Sequence, residues 1–236
     1  MLFYIVRHGA PDYKKDMLLD WGWEQAEDAA RYLEKIKPDA LYTSPMDRAQ
    51  ETASCTARRL HMSVQVEPWA YELQRDCHGL YPDGTTGIIT KMPVEALVKP
   101  EYEHMNCDEV LDAVPGFSEG FKKRYYMISE GLDDLLERNG YKRLPEGYYQ
   151  PVAPNDKKIV LFCHGGMTRV MLSHLFHIPY NLIGNVFIPY FNNFTVVYFR
   201  GSGDAPVGPK LFQFGDIGHL CGGERKLFEH FDGVEF

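Results

Sequence analysis

The chain has 236 residues, of which 44% are hydrophobic and 25% charged, and its formal net charge is -8. These values suit one globular α/β domain with a sizeable insertion, and the acidic balance argues against a nucleic-acid partner or an anionic membrane surface. Five cysteines without a recurring metal-type spacing, no signal-peptide pattern and no apolar run near the roughly 18 residues of a membrane helix imply a reduced, cytoplasmic protein.

Residues 2–6 (LFYIV) read as a buried strand, apolar on both faces. After a loop from Gly9, residues 23–35 have helical spacing, with Ala26, Ala29, Ala30 and Leu33 on one face and Pro38 past the exit. Residues 40–43 form a short strand. In TSPMDRAQETASCTARRL, Ser44 is the expected N-cap, Pro45 the first helical residue, and Asp47 stands three residues after the cap. Residues 63–66 follow as another strand.

From residue 69 to about 154 the pattern loosens, with frequent Pro, Gly and aromatic residues. One helix is clear there: Phe117, Phe121, Tyr125, Ile128, Leu132 and Leu135 recur at helical spacing, and Asn139-Gly140 is its stop. Residues of about 73–155 are read as a cap-like insertion covering a site, inside a single domain spanning 1–236. Most aromatic residues of that stretch belong in a core; exposed ones could stack on a substrate. Lys91, Lys99, Lys122, Lys123 and Arg124 could attract a second phosphate, although a charged helix face accounts for the last three.

The buried-strand pattern returns at residues 158–163, and HGGMTRVMLSHLF continues as a loop and a helix. Residues 194–199 and 210–214 read as late strands, while the tail after Gly218 has no clear reading. This alternation implies a three-layer α/β sandwich: a mostly parallel central sheet, helices on both faces, and the cap-like insertion.

Two buried strands end in His-Gly, at YIVRHG and IVLFCHGG. Ligands of open α/β sheets sit beyond the carboxyl ends of strands, so His8 and His164 are candidates for one cleft. Arg7 adjoins His8. Arg48 lies in the first turn of a helix that starts just after a strand, where backbone N–H groups suit an anion; a surface ion pair with Asp47 or Glu51 is its blander reading. Guanidinium groups bind phosphate oxygens bidentately. The set describes a phosphate pocket. A zinc site at Cys77-His78 has no further ligands at a fitting spacing.

RHG after the first strand, TSPMDRAQETA, HGGMTR and the segment LLDWGWEQAEDAARYL together resemble the histidine phosphatase, or phosphoglycerate mutase-like, superfamily. The resemblance covers the N-terminal third and residues 159–169. It implies that His8 is the nucleophile and forms a phosphohistidine, while Arg7, Arg48 and His164 hold the equatorial oxygens of a loose transition state. It groups Gly9 and Gly165 with the phosphate site: the Gly9 carbonyl accepts from the His8 Nδ1–H, and Gly165 lets the backbone approach the phosphate. Two nearby arginines keep His8 neutral, so His164 is expected to be the donor and the more readily protonated of the two. A general acid on the loop after the third strand is also implied; Glu72 is preferred over Glu67 and Asp76. No metal and no cofactor are expected, because arginines supply the positive charge.

APDYKKD after RHG, and YELQRDCHGLYPDG after the third strand, depart from the mutase pattern. The expected activity is therefore that of a phosphoric monoester hydrolase, a metal-independent phosphatase acting on a small phosphorylated metabolite. A mutase-type phosphotransferase and a non-catalytic phosphometabolite-binding module are the alternatives.

Overall fold

The computed structural model describes residues 1–73, 77–184, 186–200 and 205–220. Asp76, the tail from residue 221 and Cys221 lie outside them. In chain order the elements are β1 (Leu2–Arg7), β2 (Pro11–Asp12), β3 (Met17–Leu18), α1 (Asp20–Ile36), β4 (Ala40–Thr43), α2 (Asp47–Leu60) and β5 (Val64–Val66). Next come β6 (His78–Leu80), β7 (Thr86–Ile88), α3 (Val94–Leu97), α4 (Cys107–Ala113), α5 (Glu119–Arg138), β8 (Tyr141–Arg143) and β9 (Tyr149–Pro151). The chain continues through β10 (Lys158–Cys163), α6 (Gly165–Phe176), α7 (Tyr180–Ile183), β11 (Phe194–Tyr198) and β12 (Lys210–Asp216).

The central sheet has the order β12-β11-β1-β10-β4-β5. β1, β10, β4 and β5 run parallel, and β11 is antiparallel to β1 and β12. Its two faces follow from the period of two along each strand. Phe3, Ile5, Ile159 and Leu161 pack with Phe121, Ile128 and Leu132 of α5 and with Val170 and Met171 of α6. Tyr4, Val6, Val160 and Phe162 pack on the other side, with Ala29 and Leu33 of α1 and Ala53 of α2. The expected three layers are present, and α5 supplies one of them. Residues 73–155 therefore divide: α5 is built into the sandwich, while residues 88–91 face the cleft described below.

α2 starts at Asp47, two residues later than the Ser44 cap implied, and its N-cap is Met46 without a side-chain cap bond. Ser44 is instead held at the end of β4, where its N–H donates to the Phe162 carbonyl at 2.9 Å. The expected stop of α5 holds: Asn139 is the C-cap, and Gly140 adopts φ 100°, which favours glycine. Arg124, expected on a charged helix face, is 3% exposed. Its guanidinium lies 3.3 Å over the Tyr71 ring and donates to the carbonyls of Trp69 and Tyr71. Among the described residues no helix is long and apolar enough to cross a membrane.

Candidate active site

Three neighbouring parallel strands deliver the centre of the site. β1, β10 and β4 end at Arg7, Cys163 and Thr43, so the next residues are His8, His164 and Ser44. The two imidazoles stand 5.2 Å apart between ring centroids. Both are buried, 1% and 0% exposed.

His8 Nδ1 lies 2.7 Å from the Gly9 carbonyl oxygen, and Nε2 lies 3.1 Å from Nε of Arg48. A carbonyl only accepts and a guanidinium only donates, so Nδ1 carries the hydrogen and Nε2 the lone pair. Burial, then the charges of Arg7 and Arg48, hold the His8 pKa well below the ordinary imidazole value. The ring is neutral at neutral pH.

Expected as the more readily protonated of the two, His164 is held neutral like His8. Burial comes first, followed by Arg48, His8 and Arg7, and together they push its pKa well below the usual value. Two cations and a second imidazole beside a buried ring leave no place for a third positive charge. Nε2 of His164 is 2.7 Å from the Ser44 hydroxyl.

Arg48, 5% exposed, also pairs with Asp16, whose other oxygen accepts from the Asp47 N–H at 3.1 Å. Asp16 ends the tip of the β2–β3 hairpin and takes φ 58°. Nη1 of Arg7 donates to the Pro189 carbonyl at 2.6 Å, Nη2 reaches the Tyr13 hydroxyl at 3.3 Å, and the guanidinium lies over the Phe191 ring at 4.1 Å. Two buried nitrogens of the pocket, Nε of Arg7 and Nδ1 of His164, have no hydrogen-bond partner among the described residues. Buried polar atoms of this kind are costly unless a partner meets them, and a phosphate oxygen is an acceptor for the Arg7 N–H.

Gly9 is tied to the His8 ring and to α2 through its backbone. Its N–H donates to Thr52 Oγ1 at 3.0 Å and its carbonyl accepts from His8. A Cβ there would stand 2.5 Å from the Gly22 carbonyl oxygen of α1. Gly165 lies in the cleft, where a Cβ would come within 3.3 Å of the Arg7 guanidinium.

Of the candidate acids, Glu67 is 3% exposed and tied to Arg138 at 2.9 Å and to the Trp69 indole at 2.8 Å, so it is structural. Glu72 lies in the cleft. Its carboxylate accepts from the N–H groups of Gly166 at 3.0 Å, Met167 at 2.8 Å and Leu73 at 2.9 Å. The first turn of α6 thus holds the carboxylate, a common use of helix N-termini. Gly166 makes the approach possible, because a Cβ there would stand 2.7 Å from Oε1.

The cleft has two adjoining lobes. One, of about 380 Å³, is lined by Arg7, Gly165, Arg169, Lys91, Ile188 and Phe191; the other, of about 560 Å³, by Met46, Arg48, His78 and Ile89. Tyr13, Glu72, Leu73 and Ile88 line both. Sequence reading missed Asp16, Tyr13, Arg169 and the apolar wall. Arg169 had a signal in HGGMTR; the others sit on a hairpin and loops without a periodic pattern. Among the described residues, no group of three or more His, Cys, Asp or Glu side chains is placed to hold a metal ion.

Residues 3–80 match the model of the histidine phosphatase superfamily (branch 1), which bears out the resemblance read from the sequence motifs. No curated protein matches the sequence. Among solved structures, the chain is similar to a phosphoserine phosphatase of Entamoeba histolytica in complex with 3-phosphoglyceric acid, with a TM-score of 0.61 and 21% identity, over 93% of this chain and 98% of that one. It is also similar to a mycobacterial glucosyl-3-phosphoglycerate phosphatase, with a TM-score of 0.60 and 20% identity, over 91% and 98% of the two chains. The α-ribazole phosphatase of Shigella flexneri has a TM-score of 0.58 and 17% identity, over 92% and 96%. At these identities the likeness establishes the fold.

Proposed function

We propose that this chain is a metal-independent phosphomonoesterase acting on a small phosphorylated metabolite through a phosphohistidine at His8. The observation that carries the reading is the His8 ring: neutral, with its Nε2 lone pair turned to Arg48 and Glu72 in the adjoining cleft. Nε2 attacks phosphorus in line, and the ester oxygen leaves. Arg7, Arg48 and His164 carry the charge on the equatorial oxygens. Glu72 takes up the proton that the monoanionic ester brings and gives it to the leaving oxygen, then takes one from the water that attacks the phosphohistidine, returning His8 and releasing phosphate. The family-model match and the phosphatases among the structural neighbours support the reaction class. APDYKKD after RHG favours water over a second substrate hydroxyl as the acceptor.

Lys91 and Arg169 line the lobe that would hold the leaving group, beside Leu73, Ile88 and Ile188. A phosphate ester of modest size carrying a second anionic group, such as a carboxylate, suits that lobe. The test is phosphate release from p-nitrophenyl phosphate and from carboxylate-bearing alkyl phosphates, with EDTA present. Wild type should turn over both, and His8→Ala should lose on the order of 10³-fold or more. Equal rates for wild type and His8→Ala would overturn the proposal.

A further inference from the structure

Ser44 has an unexplained place in the site. It does not cap α2, yet its side chain is fully buried beside His164. Its Oγ has two contacts: the Met46 N–H at 3.2 Å, which can only donate, and Nε2 of His164 at 2.7 Å. A serine hydroxyl has one hydrogen to give. With a lone pair taken by Met46, that hydrogen has His164 Nε2 as its acceptor. The imidazole is neutral and so carries a single N–H, which must then be at Nδ1, at the other end of the polar edge. Nδ1 is the nitrogen that has no partner among the described residues.

The opposite arrangement fails on both sides. If Nε2–H donated to Oγ, the Ser44 hydrogen would have no acceptor among the Oγ contacts, and Nδ1 would be a buried lone pair that no donor of the described residues meets. A lone pair there would repel a phosphate oxygen, where an N–H attracts it.

We infer that Ser44 is a positioning residue: its hydroxyl donates to His164 Nε2 and so fixes the Nδ1–H tautomer that a phosphate oxygen needs. The phosphate part rests on the function proposed above; the tautomer does not. The two imidazoles of the pocket then share one tautomer for opposite purposes. A carbonyl, of Gly9, sets it in His8, whose bare Nε2 attacks. A hydroxyl, of Ser44, sets it in His164, whose Nδ1–H binds.

The test is ¹⁵N NMR of the histidine-labelled full chain, with the two rings assigned through His8→Asn and His164→Asn, together with titration of inorganic phosphate. In wild type at neutral pH, His164 should show a protonated Nδ1 and a bare Nε2. In Ser44→Ala, that pattern should be lost for His164 and kept for His8, and the Kd for phosphate should rise by about tenfold. A wild-type His164 protonated at Nε2 would overturn the inference without recourse to any variant. So would a folded Ser44→Ala protein with an unchanged His164 pattern and an unchanged Kd. The expected tautomers with no phosphate binding at all would support the role of Ser44 and overturn the phosphate pocket instead.

Discussion

The Nε–H of Arg48 donates to Nε2 of His8 at 3.1 Å. This one bond orients the lone pair of the proposed nucleophile and keeps a cation beside it. It also means that a phosphoryl group entering between them must draw that donor onto its own oxygen before Nε2 can attack. Arg48 is thus a clamp on the nucleophile and, in the proposed reaction, a ligand of the transition state.

The partner of that clamp is Asp16, whose carboxylate holds the guanidinium that phosphate would engage in the proposed reaction. Asp16→Asn keeps the size and removes the charge. Phosphate, as a product inhibitor, should bind more tightly, on the order of threefold to tenfold given the partial exposure of Asp16. Inhibition constants for phosphate at fixed ionic strength check this; an unchanged or weaker constant would contradict it.

Glu72 is proposed to protonate the leaving oxygen, so its removal should matter in proportion to the basicity of that oxygen. Glu72→Gln should lower kcat/KM for alkyl phosphates by about 10²-fold or more, and by much less for p-nitrophenyl phosphate. The amide can replace one carboxylate oxygen against the α6 amides but not both, which should cost about 1 kcal/mol of stability. A uniform loss across leaving groups would point to misplacement of the loop rather than a lost acid.

The depressed histidines give pH dependence a definite sign. His8 and His164 sit well below the ordinary value, and burial brings His219 down to about 4. As pH falls below about 6.5, the unfolded chain takes up protons at these rings that the native protein refuses. Native stability should therefore fall from pH 7 toward pH 5 by up to about 1.4 kcal/mol per pH unit for each such ring, and level off below the folded pKa values. Urea midpoints across this range check the slope, which should shrink in His164→Asn. The acid limb of kcat/KM, after correction for the ionisation of the ester near pH 6, should lie below 6.5.

Much of the site was legible because it rests on strands. LFYIV and KIVLFC show their burial in the sequence itself, and parallel pairing of Arg7 with Cys163 makes the following histidines neighbours. Arg48 was legible from the helix that follows β4. Ser44 was recognised as a residue with a task, but the task was misassigned: local capping chemistry is what sequence displays, whereas its bond to His164 spans 120 positions. The same holds for Arg124, whose helical neighbours suggest a solvated face while the loop of Trp69 and Tyr71 buries it. Tyr13 and Ile88 reach the cleft from a hairpin tip and the end of the three-residue strand β7, and Asp16 reaches Arg48 from the same tip as Tyr13, where no periodicity announces a direction. Gly9 and Gly22 are clear in hindsight: each lacks a Cβ because the β1 exit loop rests on the start of α1, with clearances of 2.5 and 2.2 Å.

The central claim is that phosphate passes through His8. Rapid mixing with excess substrate, an alkaline quench that preserves phosphohistidine, and peptide mass spectrometry measure it directly. The account predicts a phosphate adduct on His8 in wild type, accumulating in Glu72→Gln with an activated aryl phosphate and absent in His8→Ala. Turnover with no adduct on His8 in either protein, or an adduct on His164 instead, would contradict it.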